Sequence, residues 1–410
     1  MSRGVELRSI GSLLSEHFSG AWGSDPGRGS SNATVLRSTD IDDEGHVDLT
    51  SGAQRHLSPR DLSAKRLRAG DILLEASGGG PGKPVGRPAW FADDTPVGEY
   101  ATSNFFKVLR ANPDLVDAKF LLYALVLLVK RPEIWRFQQQ TTGITNLKFS
   151  EYLKHVIAVP PLPEQRTIAK VLDALDDQIR ISDELTSKLI RLRRGLLRDV
   201  ILDLSETDPD AQRGTLGNFV DWLSGGTPTK SSPEFWGGAI PWITPKDMKF
   251  AFLRKTVDSL TRRGVAAGSR LAPPEAVYIV VRGMILAHTF PVSRISGSAA
   301  FNQDVKALIP RPGLLPDYLM YWLMANSESM LRLVGESTHG TKKLDLADLK
   351  AFPAVIPPLA SQQKTLAVLR AMDIRIDSEL ASARKAHSQK YGLLADLVTG
   401  RVRVPEQAAS

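Results

Sequence analysis

The chain repeats itself, and this constrains its fold more than any other feature. TTGITNL at Thr141–Leu147 recurs as STHGTKKL at Ser337–Leu344, and Val159-Pro160-Pro161-Leu162 recurs as Ile356-Pro357-Pro358-Leu359. Both matches keep one register, Gly143 falling on Gly340 at an offset of 197 residues. The same offset superposes Gln165 on Gln362, Val171-Leu172 on Val368-Leu369, Asp176 on Asp373, Ile179 on Ile376, Gly195-Leu196-Leu197 on Gly392-Leu393-Leu394 and Asp199 on Asp396. Self-similarity at a fixed spacing marks a repeated structural unit. Upstream the offset drifts: Lys119–Leu125 resembles Asp317–Leu323, and Ser103–Lys107 resembles Phe301–Lys306, so loops there differ in length. The 410 residues therefore read as two copies of one unit, each a globular segment followed by a long helix.

The helices are the clearest part. Between Pro163 and about Leu204 there is no proline, and apolar residues fall at Ile168, Leu172, Leu175 and Ile179, then Leu185, Leu189, Leu192 and Leu196. That three-and-four spacing predicts a coiled-coil seam. The equivalent stretch, Ser361 to Thr399, carries Leu366, Leu369, Met372, Ile376, Leu380, Ala383, Tyr391 and Leu394. At 1.5 Å per residue each helix spans about 55 to 60 Å. A narrow apolar stripe of that length needs a partner, and each helix is the other's obvious one. The arginines at 191, 193, 194 and 198 read as a solvated face balanced by Asp199 and Asp203.

The globular segments, 1–160 and 213–356, read as α+β. Val35-Leu36, Asp71–Leu74 and Val277–Val281 are short β-rich runs bounded by Gly, Pro, Asp and Ser, with helical stretches near Asp117–Arg131 and Pro316–Val334. The helical regions then occupy 161–212 and 357–404, and 405–410 is a tail.

Composition removes several functions. With no cysteine, disulfides, thiolate zinc sites, iron–sulfur clusters and cysteine nucleophiles are excluded. The longest apolar run, Phe120–Val129, is about half of what a bilayer-spanning helix needs. The start reads as no signal peptide, and the expectation is a soluble, cytoplasmic protein with no membrane partner. Lys and Arg number 52 against 45 Asp and Glu, a net charge of +7, which makes a polyanion the first partner to consider. Enzymatic sites are not found. Ser77-Gly-Gly-Gly-Pro-Gly-Lys83-Pro84 lacks the first glycine and the Ser/Thr of a phosphate loop. Histidines 17, 46, 56, 155, 288, 339 and 387 lack metal-ligand spacing. Asp114, Asp117 and Lys119 read as a loop entering a helix rather than a nuclease cluster, and the Asn/Asp-Pro-Pro-Tyr/Phe motif of adenine methyltransferases is missing.

Five stretches carry a family resemblance. Ala158-Val-Pro-Pro-Leu-Pro-Glu-Gln-Arg-Thr-Ile-Ala follows the first globular segment, and Val355-Ile-Pro-Pro-Leu-Ala-Ser-Gln-Gln-Lys-Thr-Leu-Ala follows the second. The second segment opens with Gly225-Gly-Thr-Pro-Thr-Lys, then Ala239-Ile-Pro-Trp-Ile-Thr-Pro-Lys-Asp-Met, and later has Ala300-Phe-Asn-Gln-Asp-Val-Lys-Ala-Leu. Together these resemble the specificity subunit of type I restriction–modification systems over nearly the whole chain. The second helical region departs from the first, with Ala360-Ser361 in place of Pro163-Glu164, and the first segment lacks a clear Gly-Thr-Pro opening.

The resemblance implies two similar target-recognition domains separated by two long helices packed as an antiparallel coiled coil, with a pseudo-twofold internal repeat. It implies a non-catalytic chain that reads a bipartite double-stranded DNA target, two half-sites at a spacing set by the helices, and positions two modification (methyltransferase) subunits and the restriction (translocase/nuclease) subunits. No cofactor is expected on this chain; S-adenosylmethionine, ATP and Mg belong to those partners.

Polar or basic loop positions beside strands supply the candidate DNA contacts. In the first domain they are Arg37, Ser77, Lys83, Arg87, Asn104, Thr145, Asn146 and Lys148. In the second they are Thr227, Lys230, Thr244, Lys246, Arg282, Asn302, Gln303, Lys306, Lys342 and Lys343. Trp236 and Trp242 read as core rather than base-stacking residues. Gln165 and Gln362, at matched helix starts, read as caps or modification-subunit contacts. The competing readings are a coiled-coil adaptor that binds no DNA, and a DNA-recognition subunit serving a different effector.

Overall fold

The computed structural model describes residues 4–27, 31–42, 45–78, 82–92, 98–141, 143–336 and 340–404. The centre of the glycine loop (79–81), His339 and the tail 405–410 lie outside them. The chain divides into two compact units, 1–182 with 382–410 and 183–381. This differs from the linear segmentation above: each unit takes one recognition segment with one half of each long helix, the central Leu162–Thr207 and the C-terminal Leu359–Val398.

In the first unit a four-stranded antiparallel sheet runs in the order Leu14–Ser19, Phe106–Ala111, Ile72–Glu75, Pro88–Trp90. A three-stranded sheet of Ala53–Arg55, Ala33–Leu36 and Tyr100–Thr102 lies apart from it in the hydrogen-bonding order. The helix Ala118–Val129 is capped by Asp117, whose carboxylate accepts from the Phe120 N–H, and its residues 120–128 are buried. The acids near Lys119 thus belong to a helix start, as the sequence suggests. The first strand, Glu6–Ser9, pairs antiparallel with the last, Val156–Val159, immediately before the central helix.

The second unit repeats the plan. Its larger sheet runs Val220–Ser224, Val305–Pro310, Val277–Val280, Val292–Ile295, Phe252–Leu253; its smaller one runs Asp258–Leu260, Trp236–Ile243, Ala299–Phe301, Leu271–Ala272. The counterpart of Ala118–Val129, the helix of this recognition segment, is Pro316–Ala325, and a separate short helix, Ser327–Leu331, follows Asn326 where the sequence suggested one longer element. Gln212–Thr215 pairs with Pro353–Ile356. Core, sheet and helix order agree with the α+β reading.

Within each unit the long-helix halves are antiparallel. Ile168 and Leu172 share one core with Leu394, Leu397 and Val398 in the first unit, and Leu197 and Ile201 share another with Leu366 and Leu369 in the second. Each such side chain contributes about 1.5 to 3 kcal/mol by burial. The sequence-derived seam holds up to Ile179 and again at Leu189, and is off by one at Leu185, Leu192 and Leu196. Leu185 and Leu192 are exposed, whereas Thr186 and Leu197 are buried and Arg193 is half-buried. Continuing the three-and-four alternation unbroken from Ile168 arrives at Thr186, Leu189 and Arg193; the neighbouring leucines are a false lead. Likewise Lys390 is buried and Tyr391 exposed.

Gln165 and Gln362 also need correction, since neither is available to a partner. Both are essentially fully buried. Gln165 Oε1 accepts from the Asp117 N–H (2.8 Å), and its Nε2 donates to the Pro160 and Leu115 carbonyls. Gln362 does the same with the Leu315 N–H (2.8 Å) and the Pro357 and Gly313 carbonyls. Each glutamine ties the Pro-Pro turn to the start of its recognition helix, supplying partners that buried backbone groups would otherwise lack. Gln362→Ala is expected to lower unfolding free energy by about 2 to 3 kcal/mol, the cost of orphaned buried groups, measurable as a shift in urea midpoint at unchanged slope; Gln362→Glu, which turns a buried carboxylate oxygen toward the Gly313 and Pro357 carbonyls, should cost at least as much.

Candidate nucleic-acid interface

In the second unit four loops are laced into one rim by backbone hydrogen bonds. The Gly225-Gly226 turn is held by the Gly226 N–H donating to Phe301 O (2.9 Å). Thr227 Oγ1 then donates to Gln303 Oε1 (2.6 Å). The 302–305 turn joins the loop after Val277–Val280 through the Val281 N–H to Asp304 O (2.8 Å). That loop meets the Val334–Glu336/Lys342–Leu344 hairpin through the Leu344 N–H to Val281 O (2.9 Å) and the Gly283 N–H to Lys342 O (2.9 Å). Lys306 Nζ reaches Ser224 Oγ at 2.7 Å, and burial lowers its pKa from the usual lysine value.

The first unit carries the same lacing. The Ala21 N–H donates to Thr102 O, the Ala76 N–H to Phe105 O and the Leu147 N–H to Ala76 O, at 2.7, 2.7 and 2.8 Å. Lys107 Nζ meets Ser19 Oγ at 2.5 Å, as Lys306 meets Ser224. Gln138–Thr141 and Ile144–Leu147 form the matching hairpin, with the Ser77 hydroxyl on Asn146 Oδ1 at 2.6 Å. This geometry pairs Ser103 with Asn302 and Asn104 with Gln303, one residue away from the sequence match.

It also finds a residue that the sequence comparison missed. Gly20 is the counterpart of Gly225: a Cβ on either would collide with carbonyl oxygens of the facing turn, Thr102 and Ser103 in one unit and Phe301 and Asn302 in the other. The offset there differs from 197, so the shared Ser-Gly of Ser19-Gly20 and Ser224-Gly225 escaped register matching. Arg270 is a second omission. It is exposed and follows Ser269, whose hydroxyl donates to Phe301 O beside the Gly225 turn.

The nominated residues divide sharply. Lys83, Asn104, Lys148, Thr227, Lys230, Lys246, Arg282, Gln303 and Lys343 are exposed, the state that phosphate or base contact requires. Thr145 is half-buried in the hairpin strand, opposite Gln140 and Gly78. Lys342 is engaged with Glu336 at 2.8 Å. Others are committed to the fold. Arg87 grips the buried Glu75 with Nε and Nη2 (2.9 and 3.0 Å) and also donates to Ile41 O and Ser38 O. Arg37 forms a two-pronged pair with Asp40, which raises the Arg37 pKa, and donates to Ser51 O. Thr244 closes a turn on Asp247, and the buried Asn302 closes another on Asp304. Trp236 and Trp242 pack edge to face, centroids 5.0 Å apart, and Trp242 Nε1 donates to Gly226 O, so they brace the loop.

A family model for the type I restriction modification DNA specificity domain matches residues 51–191 and 210–384. The chain belongs to this family. The second match takes in the whole segment 213–356 and the first the part of 1–160 from residue 51 onward, and each runs into the helix that follows. Among relatives, the type I restriction enzyme EcoR124I/EcoR124II specificity subunit of Escherichia coli is 30% identical over 237 residues, 56% of this chain and 58% of that protein. The MjaIX specificity subunit of Methanocaldococcus jannaschii is 29% identical over 183 residues, 43% of this chain and 41% of that one. These matches therefore span about half of each relative. Across solved structures, a chain from the type I R-M system aligns with TM-score 0.59 and 16% identity, covering 98% of this chain and 99% of its own. The Type-I restriction-modification system S subunit from M. genitalium aligns with TM-score 0.55 and 16% identity, covering 97% of each. At such identities the likeness concerns the fold, and the specificity family's fold is the one described above. No helix among the described residues is long and apolar enough to cross a membrane.

Proposed function

We propose that this chain is the DNA-recognition subunit of a type I restriction–modification assembly, reading one half-site with each rim and taking no part in bond making or breaking. The observation that carries this reading is the duplicated rim, built twice from the same hydrogen bonds and presenting different exposed polar and basic side chains each time. A scaffold kept constant beneath variable side chains is what two readers of different sequences need, since phosphate contacts position a protein while base-edge contacts specify. On this reading methylation and cleavage, with S-adenosylmethionine, ATP and Mg, reside on two modification subunits and on restriction subunits in the cytoplasm.

The test is selection from a random duplex library by the chain with its modification subunit, followed by sequencing. Two short half-sites at one fixed spacing are expected; no enrichment from a folded complex would favour the adaptor reading. Salt adds a quantitative check. If six phosphates are neutralised, affinity should fall roughly 10³-fold between 50 and 200 mM salt, and a flat dependence would reject DNA contact altogether.

A further inference from the structure

Each recognition helix is seated on the long helices through matching positions, but at one of them the charges are exchanged. In the first unit Lys119 Nζ lies 3.1 Å from Asp173 Oδ1 and 4.6 Å from the centroid of the Trp90 ring. One turn on, the Tyr123 hydroxyl sits 2.7 Å from Asp173 Oδ1 and 2.8 Å from Asp176 Oδ2, and Asp176 pairs with Lys390. In the second unit the residue matching Lys119 is Asp317, and the residue matching Asp173 is Arg370; these two are paired. Trp90 is replaced by Arg294, which also pairs with Asp317. Strand register fixes that match: Trp90 lies opposite Ile72, and Arg294 is one residue beyond Ser293, the partner of Tyr278. The next position keeps its sign, with Tyr321 bonded to Asp373 and Asp373 paired with Arg193.

We propose that this reversal is a seat code, assigning each recognition domain to its own stretch of long helix. The two domains share a fold and a tyrosine–carboxylate–cation lock, so, apart from the Pro-Pro link that tethers each to the helix after it, shape and that lock would admit either domain to either seat. Charge does not. The first domain on the second seat would set Lys119 against Arg370, and the second domain on the first seat would set Asp317 against Asp173. Each exchange turns an attraction into a like-charge contact: Asp317, largely shielded from water, would keep Arg294 of its own domain but lose Arg370 and face Asp173 instead. Lys119 and Asp173 are about one-third exposed, so their pair alone is worth little; the discrimination comes from the change of sign. Lys119, Asp173, Asp317 and Arg370 are thus positioning residues. Their consequence for DNA, that the order of the half-sites is fixed, rests on the function proposed above, whereas the seat itself does not.

The test uses the full chain. Lys119→Asp presents the second domain's charge to the first seat, and Lys119→Asp with Asp173→Arg rebuilds the second seat's pair there. Amide hydrogen exchange of Ala118–Val129 reads seating directly. The single variant should speed exchange roughly tenfold, the size of coupling found between contacting residues, and the double variant should recover most of it while Pro316–Ala325 stays unchanged. A double variant as fast as the single one, or a single variant that changes nothing, overturns the seat code. Library selection on the same proteins separates the two claims: absence of half-sites for the unmodified chain, with rescue still seen in exchange, rejects DNA reading and keeps the code. Half-sites without rescue do the reverse.

Discussion

Gly225→Ala is expected to erase reading of one half-site and leave the other intact. The backbone at Gly225 lies against the Phe301 and Asn302 carbonyls and the Phe301 ring, so a methyl group would force the opening turn away from strand Ala299–Phe301. Phe301 is fully buried and cannot yield cheaply; overpacking of this kind costs about 1 to 3 kcal/mol or more. The displaced turn carries Thr227 and loses its bond to Gln303, so the rim is dismantled rather than weakened. Gly20→Ala should do the same to the other half-site. Gly195→Ala is the control: nothing lies near its Cβ position, and a helix-interior alanine should stabilise by about 0.5 to 1 kcal/mol. Library selection and a melting curve on the three proteins check this; loss of both half-sites from either rim variant would reject independent reading.

Arg87→Ala is expected to destabilise the first unit by about 3 to 5 kcal/mol, the cost of leaving a buried ion pair half-made, without changing the salt slope of DNA binding. Glu75 is 3% exposed at its side chain and has Arg87 as its two-pronged partner, so truncation strands the buried carboxylate and also removes the donor to the Ile41 and Ser38 carbonyls. Replacing both residues with a hydrophobic pair should recover part of the loss. Equilibrium unfolding together with binding at several salt concentrations distinguishes the cases; a slope reduced by about one phosphate at unchanged stability would return Arg87 to the DNA-contacting set.

Arg87 shows where legibility ends. Repetition, proline punctuation and helical periodicity are local patterns, and from them the two halves, the α+β segments and the long helices could be read directly. Whether an arginine faces solvent or a buried carboxylate depends on which strands become neighbours, and Glu75 meets Arg87 only because Ile72–Glu75 and Pro88–Trp90 pair. Asn302 and Thr244 mislead for a related reason, since a side chain suited to base edges is equally suited to closing a turn on the next carboxylate. Along the central helix, Leu185 and Leu192 pulled the expected seam one residue out of step, because residue type outweighed unbroken spacing. Gly20 stayed hidden because loops change the offset exactly where the readers differ.

The strand pairs Glu6–Ser9 with Val156–Val159, and Gln212–Thr215 with Pro353–Ile356, place the ends of each recognition segment side by side. A segment whose two ends meet is, for heredity, a cassette. Recombination between alleles that breaks at these strands would exchange a whole segment without cutting a core, and the Pro-Pro-Leu run that closes each segment marks one of its two boundaries. New specificities in such a gene can arise by exchange in one step, while point mutation is left to refine the rims.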